Sequence, residues 1–165
     1  MLKKFFLGVF LVAFTSFCGY FLAKKYRQRK LFFKQLQEFN ERFLSEISYY
    51  RRPIKDFASK YYYKGEFNIL LKDFFEGLEN RSEGERFLSD LPTYAFLKKE
   101  EMSVIEDYLL MLGRGDSASQ KNYFSSVKPQ LSKWQNESDA ACKRYGDLYI
   151  KLGFLFGLFI FILIL

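Results

Sequence analysis

Residues 5–23 (FFLGVFLVAFTSFCGYFLA) run for nineteen positions without a charge. Coiled as a helix they reach about 28 Å, close to the thickness of a hydrocarbon core, so they can cross a bilayer once. The last fourteen residues (LGFLFGLFIFILIL) are as apolar but shorter, about 21 Å as a helix. Begun at Leu148, with the Lys151 ammonium snorkelling to the interface, the same helix extends to about 27 Å and makes a second, slightly short span. A chain of 165 residues bracketed in this way has room for one body between two anchors. The expected division is an N-terminal transmembrane helix over 1–23, a helical section over 24–151, and a C-terminal transmembrane helix over 152–165 that begins as early as 148.

Lys3 and Lys4 before an apolar run also suit a cleaved signal peptide. The exit of the run does not, because no Ala-x-Ala site precedes Lys24 and Thr15-Ser16-Phe17-Cys18 fits a lipoprotein site only loosely, with a bulky Phe before the Cys. The first segment is therefore expected to stay as an anchor, with Cys18 a small packing residue in it. Flanking cations set the orientation. Lys24, Lys25, Arg27, Arg29, Lys30 and Lys34 follow the first span, and Lys133, Lys143, Arg144 and Lys151 precede the second. By the positive-inside rule the middle section faces the cytoplasm and both termini lie outside. The net charge of +7 is concentrated beside the membrane. The basic cluster Lys24, Lys25, Arg27, Arg29 and Lys30 accordingly points to anionic lipid headgroups before nucleic acid.

Between the anchors, apolar residues recur at spacings of three and four. Phe32, Leu36, Phe39, Phe43, Ile47 and Tyr50 predict an amphipathic helix over 31–50 that continues the first span. Arg52-Pro53 breaks it, and Ile54, Phe57, Ala58 and Tyr61 predict a second helix that ends at Lys64-Gly65. A third is predicted from Glu66 to Leu78 on Phe67, Leu70, Leu71, Phe74 and Leu78, with Asn80 and Gly84 at its exit. The capping-box spacing of Ser82 and Glu85, with Phe87, Leu88 and Leu91, predicts a fourth that stops at Pro92. A fifth lies near 98–112 on Met102, Ile105, Leu109 and Leu112, closed by Gly113. Ser117 and Gln120 have capping-box spacing. Phe124, Val127, Leu131, Trp134, Ser138, Ala141, Tyr145, Leu148 and Leu152 then carry one three-four pattern into the second span. Pro129 predicts a kink near Ser125 to Pro129, or a later helix start. The resulting fold class is all-α, a membrane-anchored antiparallel bundle with transmembrane helices at both ends.

The residues for much enzyme chemistry are missing from the sequence. There is no histidine and only Cys18 and Cys142 as thiols, which excludes histidine triads and Cys/His zinc sites. Gly113-Arg114-Gly115-Asp116 lacks the Lys-Ser/Thr ending and the preceding strand of a phosphate loop, and reads as a helix-to-helix turn. Glu100-Glu101 and Glu106-Asp107 read as solvated helix surface. Tyr61-Tyr62-Tyr63 beside Lys60 and Lys64 could stack on bases, but is better read as a core helix with one or two exposed tyrosines. No catalytic, cofactor or metal residue is assigned. A membrane-bound enzyme acting on lipid or cell-wall precursors is the alternative, and it needs perturbed carboxylates in a cleft, from among Asp56, Asp73, Glu76 and Asp107. In the spans, Gly153 and Gly157 form a Gly-x-x-x-Gly step, and Thr15 and Gly19 form a similar step of small residues. Such steps suit close helix packing, either between the spans or against other subunits.

The run Leu112-Gly113-Arg114-Gly115-Asp116-Ser117-Ala118-Ser119-Gln120 is followed by a long amphipathic helix and then by Leu152-Gly153-Phe154-Leu155-Phe156-Gly157-Leu158. Together they resemble the stage III sporulation protein AB family of endospore-forming bacteria. Leu112, Gly113, Asp116 and Gln120 match its signature, and the basic exit from the first span and the Pro53-Ile54 restart are also similar. Gly115 stands where Ser is usual, Pro129 interrupts the long helix, and Phe87 replaces a frequent Trp. The resemblance implies a body like the cytoplasmic domain of the type II secretion F family. It also implies a non-enzymatic platform without cofactors in the mother-cell membrane, and two kinds of partner: a stage III sporulation protein AA-like ATPase and the other products of the same operon. Self-association is compatible with it, and nucleic acid is not among the expected partners. The signature turn is expected to be structural, with Leu112 packed, Gly113 closing one helix and Asp116 with Ser117 and Gln120 starting the next; a partner-contact role is the sharper alternative.

Overall fold

The joined stripes of the first fifty residues give one helix, α1, over Leu2–Tyr49 in a computed structural model that describes residues 2–49, 57, 60–77 and 92–164. Helix α2 spans Glu66–Gly77, a 3₁₀ turn covers Pro92–Tyr94, α3 spans Lys99–Leu110, and α4 spans Ser117–Ala141. A π-helical turn over Cys142–Gly146 leads into α5, Asp147–Ile164. The fold is all-helical, with no strand among the described residues. The predicted restart at Pro53-Ile54, Ala58, and the helix from Ser82 to Leu91 lie outside the described residues. The second predicted helix is shorter than expected, because Lys60 is helical and residues 61–64 are not. Helix α4 starts at Ser117 with Pro129 inside it, so the later start is overturned.

The chain divides into two compact units, Met1–Lys30 with Glu137–Leu165, and Leu31–Asn136. In the second unit, phenylalanine makes the core. Phe39 is fully buried and its ring meets Phe57 at 5.4 Å, Tyr63 at 5.6 Å, Phe67 at 5.7 Å and Tyr108 at 6.3 Å between centroids. Phe124 of α4 stands edge-on to Phe43 at 4.7 Å and to Tyr108 at 4.9 Å. Edge-to-face pairs of this kind each add about 0.5–1.5 kcal/mol beyond the burial of area. They lock α1, α2, α3 and α4 to one another by ring geometry as well as by exclusion of water. Phe33, outside the predicted stripe, is also fully buried and packs on Trp134 at 5.5 Å.

A fully buried polar residue, Asn40, ties the aromatic body together. Its side-chain amide donates to the Phe124 carbonyl at 3.3 Å, and its oxygen accepts from the Tyr108 hydroxyl at 3.1 Å. Burial pushes the Tyr108 phenol well above its usual range, so the group is a neutral donor at any working pH.

In the first unit the exposure pattern is reversed. Phe6, Phe10, Phe14, Phe17 and Phe21 of α1 are exposed, as are Leu155, Phe156, Phe159, Ile162 and Leu163 of α5. Two helices are long and apolar enough to cross a membrane, and only 11% of each apolar window is buried, unlike the core helix of a soluble protein. The predicted pattern over 124–152 does slip. The π turn holds an extra residue; its last residue, Gly146, and Gly157 beyond it are the buried positions, while Tyr145, Leu148 and Leu152 of the expected stripe are exposed.

Candidate functional site

Leu112, Gly113, Asp116 and Gln120 fall together in the turn between α3 and α4. Leu112 is buried. Gly113 follows with φ 78, the left-handed value that lets a helix end without a Cβ clash, and Arg114 N–H then donates to the Met111 carbonyl at 3.2 Å. Gly115 repeats the left-handed conformation with φ 80. Replacing Gly113 with alanine is expected to cost about 1–2 kcal/mol, because the left-handed region penalises any Cβ; a thermal melt of the full chain measures it.

Asp116, and not Ser117, caps α4. Its carboxylate accepts from the Ser119 N–H at 3.0 Å while its carbonyl accepts from the Gln120 N–H at 3.0 Å. This corrects the capping-box reading by one residue: the shorter reach from Asp116 satisfies the third amide of the helix. The Ser119 hydrogen bonds hold the Asp116 carboxyl below its usual range. The Gln120 amide points back to the Gly115 carbonyl at 3.5 Å, a weak contact. Residues 113–119 are all exposed. The turn is thus an ordered loop offered to solvent, with a backbone fixed by two left-handed glycines and one cap.

The small residues of the spans are also brought together. A Cβ built on Gly19 would stand 2.5 Å from the Tyr149 carbonyl oxygen and 3.2 Å from Gly153 Cα; one on Gly153 would stand 2.7 Å from the Thr15 carbonyl oxygen. One on Gly157 would collide with the Thr15 hydroxyl and come within 2.8 Å of Val12 Cα. The α1 and α5 backbones touch here because no side chain separates them. Thr15 spends its hydroxyl on the Leu11 and Val12 carbonyls of its own helix, at 3.0 and 3.1 Å.

The basic cluster is divided in its engagements. Lys30 is paired with Asp139 at 2.6 Å, and Asp139 also meets Lys143 at 3.2 Å; the two cations hold the Asp139 carboxyl below its usual range. Arg27 lies over the Tyr20 ring at 5.4 Å, and Arg29 is engaged within the protein. Lys24 and Lys25 are exposed.

Other candidates are redistributed. The solvated reading holds for Glu100 and Asp107 but fails for Glu101 and Glu106, which are buried; Glu101 accepts from the Lys98 N–H at 2.9 Å and caps α3. Among the carboxylates named for an enzyme, Glu76 and Asp107 are exposed, Asp73 is half-buried, and Asp56 lies outside the described residues. The tyrosine run is not helical. Tyr63 is in the core, Tyr61 donates to Glu46 at 2.8 Å, and Tyr62 is 79% exposed. The buried Asn40 escapes an apolar pattern, although it lies four residues after Leu36 and three before Phe43 on the predicted face.

A family model described as Stage III sporulation protein AB matches residues 4–165. The stage III sporulation protein AB of Bacillus subtilis (strain 168) is 26% identical over 166 residues, which covers 96% of each chain. No solved structure matches.

Proposed function

The chain belongs to the stage III sporulation protein AB family, and from that premise we propose that it is a non-enzymatic platform of a secretion-like complex in endospore formation. In this reading the two apolar helices fix it in the mother-cell membrane with residues 24–151 on the cytoplasmic side and both termini outside. The helical body docks a stage III sporulation protein AA-like ATPase, with the other products of the same operon as further subunits. The observation that carries the reading is the turn over residues 113–119, which is exposed along its length yet held in one conformation by Gly113, Gly115 and the Asp116 cap. A preorganised exposed loop lowers the ordering cost of binding, which suits a contact surface.

Co-purification of the detergent-solubilised chain with that ATPase is the test. Arg114→Glu, in the middle of the turn, is expected to weaken recovery of the ATPase on the order of tenfold, the size of a lost interfacial contact, with the helical circular dichroism of wild type. Recovery equal to wild type for Arg114→Glu would move the contact elsewhere on the body. No association of the wild-type chain, with normal spores after its deletion, would reject the platform.

A further inference from the structure

Above the glycine contact, where α1 and α5 leave the apolar zone, aromatic rings close over the place where the two helices meet. The Tyr26 ring stacks on Tyr149 at 5.9 Å and meets Tyr145 at 5.6 Å. Tyr145 belongs to the π turn, and its neighbour Arg144 brings a guanidinium to 5.4 Å from the Tyr145 ring centre. Arg27 does the same to Tyr20 of α1, also at 5.4 Å. These side chains form a collar of tyrosine and arginine drawn from both helices.

The surroundings of the collar change from greasy to charged along the helix pair. On one side Phe10, Phe14 and Phe17 of α1 and Phe156 and Phe159 of α5 are exposed. On the other, Asp139 is paired with Lys30 and Lys143, an arrangement at home in water. Between them, Tyr20 and Tyr26 are separated by about 9 Å of helix rise, comparable with the headgroup layer on one side of a bilayer, about 5–8 Å. Tyr20 is 51% exposed and Tyr145 37% exposed. A tyrosine ring with a polar tip suits that layer better than either neighbouring medium.

The arginines decide what lies against the collar. Side chains on a helix lean toward its N-terminus, so Arg27 descends toward the apolar zone and reaches Tyr20. Both arginines are exposed, and among the described residues no carboxylate pairs with either. A guanidinium held against a ring still offers N–H donors to an anion, and its planar fork matches a phosphate. Lipid supplies phosphates at this depth. A second subunit would have to bring carboxylates to the edge of the hydrocarbon, where desolvation makes them costly.

We propose that the collar is the seat of the protein in the lipid headgroup layer, with the Arg27 and Arg144 guanidinium groups against lipid phosphates. This rests on the membrane placement of the two apolar helices and not on the docking of an ATPase, so failure here leaves the co-purification test standing.

Full-length protein in vesicles of phosphatidylglycerol and phosphatidylcholine is the material for the test. Tyr20→Trp and Tyr145→Trp are made separately, and the emission of Trp134 in the wild-type chain is subtracted as the baseline. Each added indole is expected to lose emission to phosphatidylcholine brominated at the headgroup end of its acyl chains, and to keep it when the bromines sit near the methyl end. Loss to aqueous iodide alone would put the collar in water, loss to the deep bromines would put it in hydrocarbon, and loss to no quencher would put it under protein. Each of these overturns the proposal. In magic-angle-spinning spectra, lipid phosphorus is expected to dephase guanidinium carbons of the wild-type chain, and Arg27→Gln with Arg144→Gln is expected to remove most of that dephasing. Dephasing equal to wild type in the double variant would overturn the phosphate contact. Helical circular dichroism identical to wild type qualifies each variant.

Discussion

Gly153→Leu is expected to part the two spans. Its first added carbon would lie 2.7 Å from the Thr15 carbonyl oxygen and 3.1 Å from Gly19 Cα, and both are backbone atoms that cannot rotate away. The helices must move apart along their contact, which forfeits close packing in a solvent that supplies no hydrophobic drive to restore it. Overpacking alone costs about 1–3 kcal/mol. A cross-linking reporter reads the outcome. Phe5 and Phe161 have ring centroids 5.8 Å apart, so Phe5→Cys with Phe161→Cys, in a chain with Cys18→Ser and Cys142→Ser, should be joined by a short bifunctional thiol reagent when Gly153 is intact. Gly153→Leu should reduce that yield about tenfold, as a loss of about 1.4 kcal/mol in the paired state does. Gly153→Ala, with the same first carbon and no more, should fall between. Equal yields for all three would show that the glycines are not what brings the helices together.

The second large effect lies in the aromatic body. Asn40→Leu nearly keeps the volume but removes the acceptor of the Tyr108 hydroxyl and the donor to the Phe124 carbonyl. Leaving a fully buried hydroxyl unsatisfied costs about 1–3 kcal/mol, and more where bonds reinforce one another. For a body near one hundred residues this lowers the melting temperature by about 5–20 °C. The fluorescence of Trp134, the one tryptophan, reports it in detergent. Tyr108→Phe added to Asn40→Leu should recover part of the loss, since the orphaned hydroxyl is then gone; a pair that simply sums would deny the coupling.

Most of the helices were legible because burial in this chain follows periodicity. Phe32, Leu36, Phe39 and Phe43 announce the inner face of α1, and Phe67, Leu70, Leu71 and Phe74 that of α2. The signature turn was legible in its glycine, since a Gly closing an apolar stripe signals a left-handed exit. Three features were not. A capping spacing fits Ser117 as well as Asp116 does, and only the geometry shows which side chain reaches Ser119. Burial of Glu101 is decided by the residues that pack over the start of α3, which the local pattern does not contain. Sequence spacing shows that Thr15, Gly19, Gly153 and Gly157 suit a contact, while the partner across it is a matter of tertiary structure.

The π turn over Cys142–Gly146 was invisible for another reason: one surplus residue in a long helix leaves every neighbouring residue plausible in either register. Its effect resembles that of a vernier. Ser138 ahead of it is buried and Gly157 beyond it is buried, and the surplus residue lets both aim inward though no single straight stripe joins them. Drift by insertion or deletion of one residue at this place changes the aim of the downstream helix by roughly 100°, the angle a single helical residue subtends. Such a joint gives a lineage a cheap way to retune how the tail addresses the leading span while leaving the greasy residues themselves untouched.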